Sequence, residues 1–221
     1  MTNLPEAIAG EAVSVPAAVA WVAIAYLLGS IPFALLIGRA YGVDIRKTGS
    51  GNVGATNLAR VLGRRLGITA FVLDFLKGLL PVLAVGFLPG RLPSSSGILV
   101  EHAQIGCALA AVLGHVFPVY LSFRGGKGVA TSFGALTGLT PTAALAAGVV
   151  WLALFTVTRT VSIASIAAAL VFPVATLIVF RAAPPLVAVP MDCLAASVAA
   201  LIVIRHRSNI RRLLKREEGR F

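Results

Sequence analysis

The sequence predicts an all-α integral membrane protein with seven transmembrane helices, its N-terminus outside and its C-terminus in the cytoplasm. Three observations carry that expectation. Of 221 residues, 58% are hydrophobic and only 12% charged, and the mean hydropathy is +0.93; a soluble domain carries about 25% charged residues. Apolar stretches recur at about 16–40, 66–88, 98–122, 129–140, 142–158, 161–180 and 188–204, most of them near the roughly 20 residues that a helix needs to cross a bilayer. All but three of the 19 Lys and Arg residues fall after the odd-numbered stretches, and the positive-inside rule assigns those connections to the cytoplasm. The chain, 1–221, reads as a single membrane domain ending in a cytoplasmic tail, 205–221.

The opening segment, MTNLPEAIAGEAV, contains no Lys or Arg and runs into the first apolar stretch without a small-residue cleavage site. It lacks the basic start of a secretory signal, so 16–40 is read as a retained first span. Arg39, Arg46, Lys47, Arg60, Arg64 and Arg65 follow. Span two, 66–88, holds Asp74 and Lys77, an i,i+3 pair able to neutralise itself, which favours a structural pairing. The connection after it, LPGRLPSSSG, is turn-rich and carries only Arg91. Span three, 98–122, begins with Glu101 and His102 and ends with His115 near Pro118, where His115 serves either as a helix hydrogen-bonding group or as part of a cavity. Arg124 and Lys127 come next. Span four, 129–140, is short, and a re-entrant segment is the alternative to a crossing. TGLTPT leads to span five, 142–158, followed by Arg159; Ser162 then either caps span six, 161–180, or lines a cytoplasmic pocket. RAAPP, with Arg181, leads to span seven, 188–204. Arg205, Arg207, Arg211, Arg212, Lys215, Arg216 and Arg220 crowd the tail. Gly and Pro interrupt several spans, which membrane helices tolerate where neighbours satisfy the freed backbone. Cys107 and Cys193 show neither C-x-x-C nor metal-ligand spacing.

The formal net charge of +11 would suggest nucleic acid in a soluble protein. Here the basic residues lie between or after apolar runs, so they orient the chain and no nucleic-acid partner is expected. Three polar clusters share the cytoplasmic face: GSGNVGATN (Gly49 to Asn57), FRGGKGVAT (Phe123 to Thr131) and RHRSNIRRLLKREE (Arg205 to Glu218). Glycines let backbone N–H groups approach an anion, and such nests beside Arg or Lys bind phosphate. Gly49, Gly51 and Gly54 spell G-x-G-x-x-G, and Asp74 stands at the distance the dinucleotide fingerprint requires, but no strand precedes them and Asp74 lies in an apolar span. A P-loop fails too, because Leu121 replaces its first glycine and Gly128 its Ser or Thr. What remains is convergent positive charge suited to a small phosphorylated solute and an amphiphilic partner. The blander readings are a flexible linker for the first loop and a stop-transfer run for Arg211, Arg212, Lys215, Arg216 and Arg220. His206 and Asn209, three apart and on one side of a continuing helix, fit neither.

GSGNVGATN, DFLKGLLPV (Asp74 to Val82), LGHVFPVYLSFRGGKGVAT (Leu113 to Thr131) and HRSNIRRL (His206 to Leu213) resemble the bacterial membrane glycerol-3-phosphate acyltransferases that use acyl phosphate, the PlsY family. The resemblance runs from about Gly29 to Glu218, with three motifs in order. It implies a multi-pass enzyme of the bacterial plasma (inner) membrane, its active site facing the cytoplasm. Such an enzyme transfers a fatty acyl group from acyl phosphate to the 1-hydroxyl of sn-glycerol 3-phosphate, giving lysophosphatidic acid and phosphate for phospholipid biosynthesis. It implies no cofactor and no metal, membrane lipid as surroundings, and a functional link to an acyl-phosphate-forming enzyme. By resemblance, Ser50, Arg60, Lys127, His206 and Asn209 are the catalytic set. Gly49, Gly51, Asn52, Gly54, Asn57, Arg124, Gly125, Gly126, Gly128, Thr131 and Ser162 bind substrate. The family's third motif often has Gly seven residues after the asparagine; Arg216 stands there, while Glu218 keeps its place.

The H-x-x-x-x-D motif of ordinary glycerolipid acyltransferases, in which a carboxylate orients a histidine base, is absent: the fifth residues after His102, His115 and His206 are Cys107, Tyr120 and Arg211. Acyl phosphate is a mixed anhydride and already activated, so catalysis can rest on placing the hydroxyl against the carbonyl in a cationic pocket. A transporter for a phosphorylated solute also suits interrupted helices and basic loops, but it predicts polar residues on both faces. A purely structural membrane protein leaves the glycine loops without a purpose.

Overall fold

Serine and proline set where the first helix starts and stops. Ser14 accepts a bond from the Ala17 amide at 3.4 Å, a proline occupies the first turn, and α1 runs Val15–Gly29. Pro32, with no N–H to donate, ends its hydrogen-bond ladder, and α2 resumes at Phe33–Ala40. The computed structural model describes residues 11–87, 92–93 and 97–221. Eight further α-helices follow among them: α3 (Ala55–Leu62), α4 (Arg64–Gly86), α5 (Val100–Val116), α6 (Val129–Leu139), α7 (Pro141–Thr158), α8 (Val161–Val179), α9 (Pro185–Arg205) and α10 (Arg207–Leu214). A 3₁₀ turn, Val119–Leu121, follows α5.

Among the described residues, six helical segments are long and apolar enough to cross a membrane: Val15–Ala40, Arg64–Gly86, Val100–Leu121, Pro141–Thr158, Val161–Val179 and Pro185–Arg205; α6 is apolar but shorter. Among the described residues, the apolar stretches read from the sequence are helical over most of their length. Three features were not anticipated. The first stretch is broken, the segment around Arg60 is a separate helix, α3, and three short strands form a sheet. β1 (Glu11–Val13) lies between β2 (Leu92–Pro93) and β3 (Ile98–Leu99), antiparallel to both, with Ala12 opposite Leu92 on one side and Leu99 on the other. This sheet caps the bundle at the end where α1 begins and α4 finishes. The readings of the chain before Glu11 and of Arg91 lie outside the described residues.

Glycines set the helix spacing at two contacts. A Cβ on Gly78 of α4 would run into the Thr131 carbonyl of α6, and one on Gly134 of α6 would strike the Phe75 carbonyl of α4. Gly29 and Gly114 do the same for α1 and α5, against Ala111 and Tyr26. In lipid, where water drives no helix association, such close backbone approach supplies the packing energy. Gly134→Val is accordingly expected to separate α4 from α6 and destabilise the fold by about 2–3 kcal/mol, measured as a lower melting temperature in detergent. Retention of the native melting point would overturn this account.

The main core joins Val82, Val85, Cys107, Ala111, Val112, Ala135, Leu194 and Val198, among others, across the long helices. A smaller cluster of Ala34, Leu35, Ile45, Leu58 and Ala70 pins the polar segment between α2 and α3 against α4, so this connection is an anchored loop and not a free linker. Large apolar side chains such as Leu145, Val149, Leu152, Leu177 and Ile178 face outward, as a surface solvated by lipid requires.

Candidate active site

Three chain segments meet at the end of the bundle away from the small sheet. The first is the loop before α3. Its organiser is Asn57, fully buried: its Oδ1 accepts from the Ser50 amide at 2.8 Å, and its Nδ2 donates to the carbonyls of Ile45 (2.8 Å), Asn52 (3.0 Å) and Thr48 (3.1 Å). Gly49 and Gly51 turn with φ of +60° and +70°, which an L side chain adopts only with strain, and a Cβ at Gly49 would collide with the Asn57 side chain. Ser50 is thereby presented at the crest. Upstream, the guanidinium of Arg46 binds Asp44 at 2.6 Å and holds its carboxyl well below the usual carboxylate range. Asn57→Ala would leave four backbone groups without this partner. It is expected to lower kcat/KM about tenfold, chiefly through KM, and to expose the loop to protease; unchanged kinetics would contradict the organising role.

The second segment is the glycine loop before α6. It folds back along the end of α5, with the amides of Gly125 and Gly126 donating to the carbonyls of Val116 and His115, each at 3.1 Å. Gly126 packs so closely on the His115 ring that no side chain fits there. Arg205, at the end of α9, donates to the carbonyls of Gly125 (3.0 Å) and Gly126 (3.2 Å). It acts as a latch, a role its place in a basic run does not reveal. Behind the loop, Lys77 pairs with Asp74 at 2.7 Å and donates to the Ile31 carbonyl at the α1–α2 break, also at 2.7 Å; His115 Nδ1 lies 3.7 Å from Asp74.

The third segment is the tail. His206 closes α9 and opens α10, and both His206 and Asn209 are buried. Lys127 donates from the glycine loop to Asn209 Oδ1, and Asn209 Nδ2 donates in turn to Glu218 Oε1. Glu218 also accepts from Ser162 Oγ at 3.0 Å and Arg212 Nε at 2.7 Å. Thr160 is the residue at the N-terminus of α8, so Ser162 is not the cap and instead faces the site. Arg216 takes φ +60° to turn the chain back, which explains why glycine suits that position; an L residue there costs about 1 kcal/mol.

These segments enclose a cavity of about 470 Å³. Ser50, Arg60, Lys127, His206 and Asn209 all line it, together with Asn52, Gly54, Asn57, Gly128 and Ser162. Gly49, Gly51, Gly125, Gly126, Arg124 and Thr131 do not. The four glycines shape the loops behind the wall, Arg124 is exposed, and Thr131 is buried on α6 against Gly78. His115 also lines the cavity, the second of its two sequence readings, whereas sequence reasoning missed Asp74 as part of the lining, and also the aromatic side, Phe71, Trp151, Phe155 and Phe221. Trp151 and Phe155 stack at 4.9 Å. A second, apolar cavity of about 170 Å³ shares Phe71, Val129, Trp151 and Ser165 with the first and continues past Phe133, Leu136 and Phe172.

Charge in the cavity follows from burial. Desolvation, with help from nearby Arg212, Arg60 and Arg205 and against Glu218, lowers Lys127 to about 8. Burial and the Lys127 charge lower His206 to about 4, so its imidazole is neutral near pH 7; its Nδ1 donates to the Ile202 carbonyl at 2.8 Å, leaving Nε2 as an acceptor. Burial disfavours the Glu218 carboxylate, but the bonds from Asn209, Arg212 and Ser162 outweigh it and hold the group below its ordinary value. Among the described residues no three His, Cys, Asp or Glu side chains come together as a metal ion would need.

Residues 19–216 match the family model described as glycerol-3-phosphate acyltransferase. A protein of that name from Trichlorobacter lovleyi is 46% identical over 91% of this chain and 96% of its own length, and one from Aquifex aeolicus is 45% identical over 89% and 95%. Crystal structures of PlsY, an integral membrane glycerol 3-phosphate acyltransferase, superpose with TM-scores of 0.79 for the glycerol 3-phosphate form and 0.76 for the lysophosphatidic acid form. Identities are 45% and 44%; each covers 93% of this chain, and 96% and 95% of the crystallised one.

Proposed function

Since the chain belongs to the glycerol-3-phosphate acyltransferase family, we propose that it moves a fatty acyl group from acyl phosphate to the 1-hydroxyl of sn-glycerol 3-phosphate, releasing lysophosphatidic acid and phosphate. The observation that carries this reading is one cavity with a cationic, amide-bearing side and an aromatic side that leads into an apolar chamber. Phosphates fit the first and an acyl chain the second. That chamber also accounts for the hold on membrane lipid.

Arg60 and Lys127 clamp phosphate oxygens as charge-assisted donors. Ser50, His206 and Asn209 orient the acceptor and the leaving phosphate. Asn52 Oδ1 is buried without a hydrogen-bond partner among the described residues and lines the cavity, a placement suited to a glycerol hydroxyl. The hydroxyl oxygen attacks the acyl carbonyl carbon, the bond from that carbon to the phosphate oxygen breaks, and the hydroxyl proton ends on the departing phosphate. His206 is a weak base in this setting, which favours a phosphate oxygen as the proton acceptor and leaves Nε2 to align the hydroxyl. No covalent enzyme intermediate is needed, and positioning supplies the rate.

We further propose seven crossings in one membrane domain, with the N-terminus outside, the active site facing the cytoplasm, and the bacterial inner membrane as location. The density of basic residues on the cavity end supports the orientation. As for the seventh crossing, α6 has 11 residues, about 16 Å. It is followed after Thr140 by α7, 18 residues or about 27 Å long, whose far end at Arg159 lines the cavity. The end of α6 therefore lies far from the cavity. The glycine loop folds back along the end of α5 before α6 begins, irregular backbone that is tolerated because protein covers it.

The test is to purify the protein, supply acyl phosphate and glycerol 3-phosphate, and follow phosphate and lysophosphatidic acid together, with acyl-CoA offered in parallel. Equimolar products from acyl phosphate are expected. Activity with acyl-CoA alone would overturn the donor assignment.

A further inference from the structure

Arg60 is held by a part of the chain that lies beyond residue 216, the limit of the family match. After the left-handed turn at Arg216, the Glu217 amide donates to the Arg212 carbonyl at 2.8 Å, and Glu218 is tied into the cavity wall. The next residues then run across to α3 and α7. The Gly219 carbonyl accepts from Arg60 Nη2 at 3.0 Å. The Phe221 ring lies 5.0 Å from the Arg60 guanidinium carbon, in cation–π geometry. The Phe221 amide donates to the Arg159 carbonyl at 2.9 Å, and its ring meets Phe155 edge-on at 6.4 Å. Phe221 itself lines the cavity.

We propose that Gly219 and Phe221 position the Arg60 guanidinium for its phosphate, making this tail segment a working part of the glycerol 3-phosphate site; this rests on the acyltransferase reading above. Arg60 stands on a two-turn helix and is exposed. A long side chain in that setting samples many rotamers, and each must be surrendered when an anion binds. A carbonyl at one edge of the guanidinium and an aromatic face against its plane fix it beforehand and leave other N–H groups to donate. Preorganisation of this kind appears as affinity without any new contact to the ligand. Phe221 is held from its other side by the Arg159 carbonyl and the Phe155–Trp151 stack, so it has a fixed support of its own.

The test is calorimetric titration of the purified full chain with sn-glycerol 3-phosphate. Phe221→Ala is expected to weaken affinity roughly fivefold, Phe221→Trp to restore it, and the exposed neighbour Arg220→Ala to leave it unchanged. In an Arg60→Ala background, Phe221→Ala should cause no further loss, because its effect passes through Arg60. Unchanged affinity in Phe221→Ala, or an equal loss with and without Arg60, would overturn the proposal. Turnover of the unaltered protein is scored separately. No product from either acyl donor would sink the acyltransferase reading, whereas an active enzyme indifferent to Phe221 would sink only the positioning role.

Discussion

Lys127→Ala is expected to lower kcat/KM for glycerol 3-phosphate by about 10³-fold, the upper range for removal of one preorganised donor from a water-poor site. The lysine cannot be substituted by a neighbour. It is fixed by the latched loop on one side and by Asn209 on the other, and the other proposed clamp, Arg60, approaches from α3. Burial lowers the Lys127 pKa to about 8, which adds a second signature. Only the protonated amine clamps a phosphate, so kcat/KM should fall about tenfold per pH unit above that value. Lys127→Arg keeps its charge throughout that range and should abolish the alkaline limb at some cost in rate, since a planar fork replaces a compact ammonium. A Lys127→Ala enzyme of near-normal kcat/KM, or an alkaline limb that persists in Lys127→Arg, would remove Lys127 from the clamp.

How far such a site can be read from sequence depends on the range of the interactions that build it. The apolar runs were legible because bilayer thickness imposes a length on each. The two glycine loops were legible because positive φ and close backbone approach select glycine. The break in the first span falls at Pro32 and was not anticipated; there the Ile31 carbonyl, which also accepts from the Phe33 amide, takes a bond from Lys77, joining residues far apart in the chain. The roles of charged residues were the least legible. Arg205 reads as one more topological charge, yet it latches a loop 79 and 80 residues away. Asp74 and Lys77 read as a self-contained pair, and they are one, but Asp74 also reaches the cavity. The β1–β2–β3 sheet left no trace because strands this short are specified by their partners and not by alternation. Arg216 shows the reverse case: a departure from the family pattern that sequence alone makes worrying is accommodated by a left-handed arginine at modest cost.

The carboxylate of Glu218 carries the second large effect. Its side chain is about 4% exposed and accepts from Ser162, Asn209 and Arg212, residues of α8 and α10. Through Asn209 it fixes the partner of Lys127, so one acidic group organises three proposed site residues, Ser162, Asn209 and Lys127. Glu218→Ala would leave Ser162 and Asn209 without their acceptor and Arg212 without its counter-charge. A drop in stability of about 2 kcal/mol is expected, with a roughly 10²-fold loss in kcat/KM as Lys127 and Asn209 lose their alignment. Glu218→Gln separates the two effects. Its amide oxygen can still accept from Ser162 and Asn209 while its NH₂ faces Arg212 Nε, donor against donor. That variant should keep most of the stability and lose only about tenfold in kcat/KM, mainly as kcat if alignment is the cause. Melting temperatures and steady-state kinetics on the two variants decide the matter. A stable Glu218→Ala protein with unaltered turnover would show that the tail merely decorates the site.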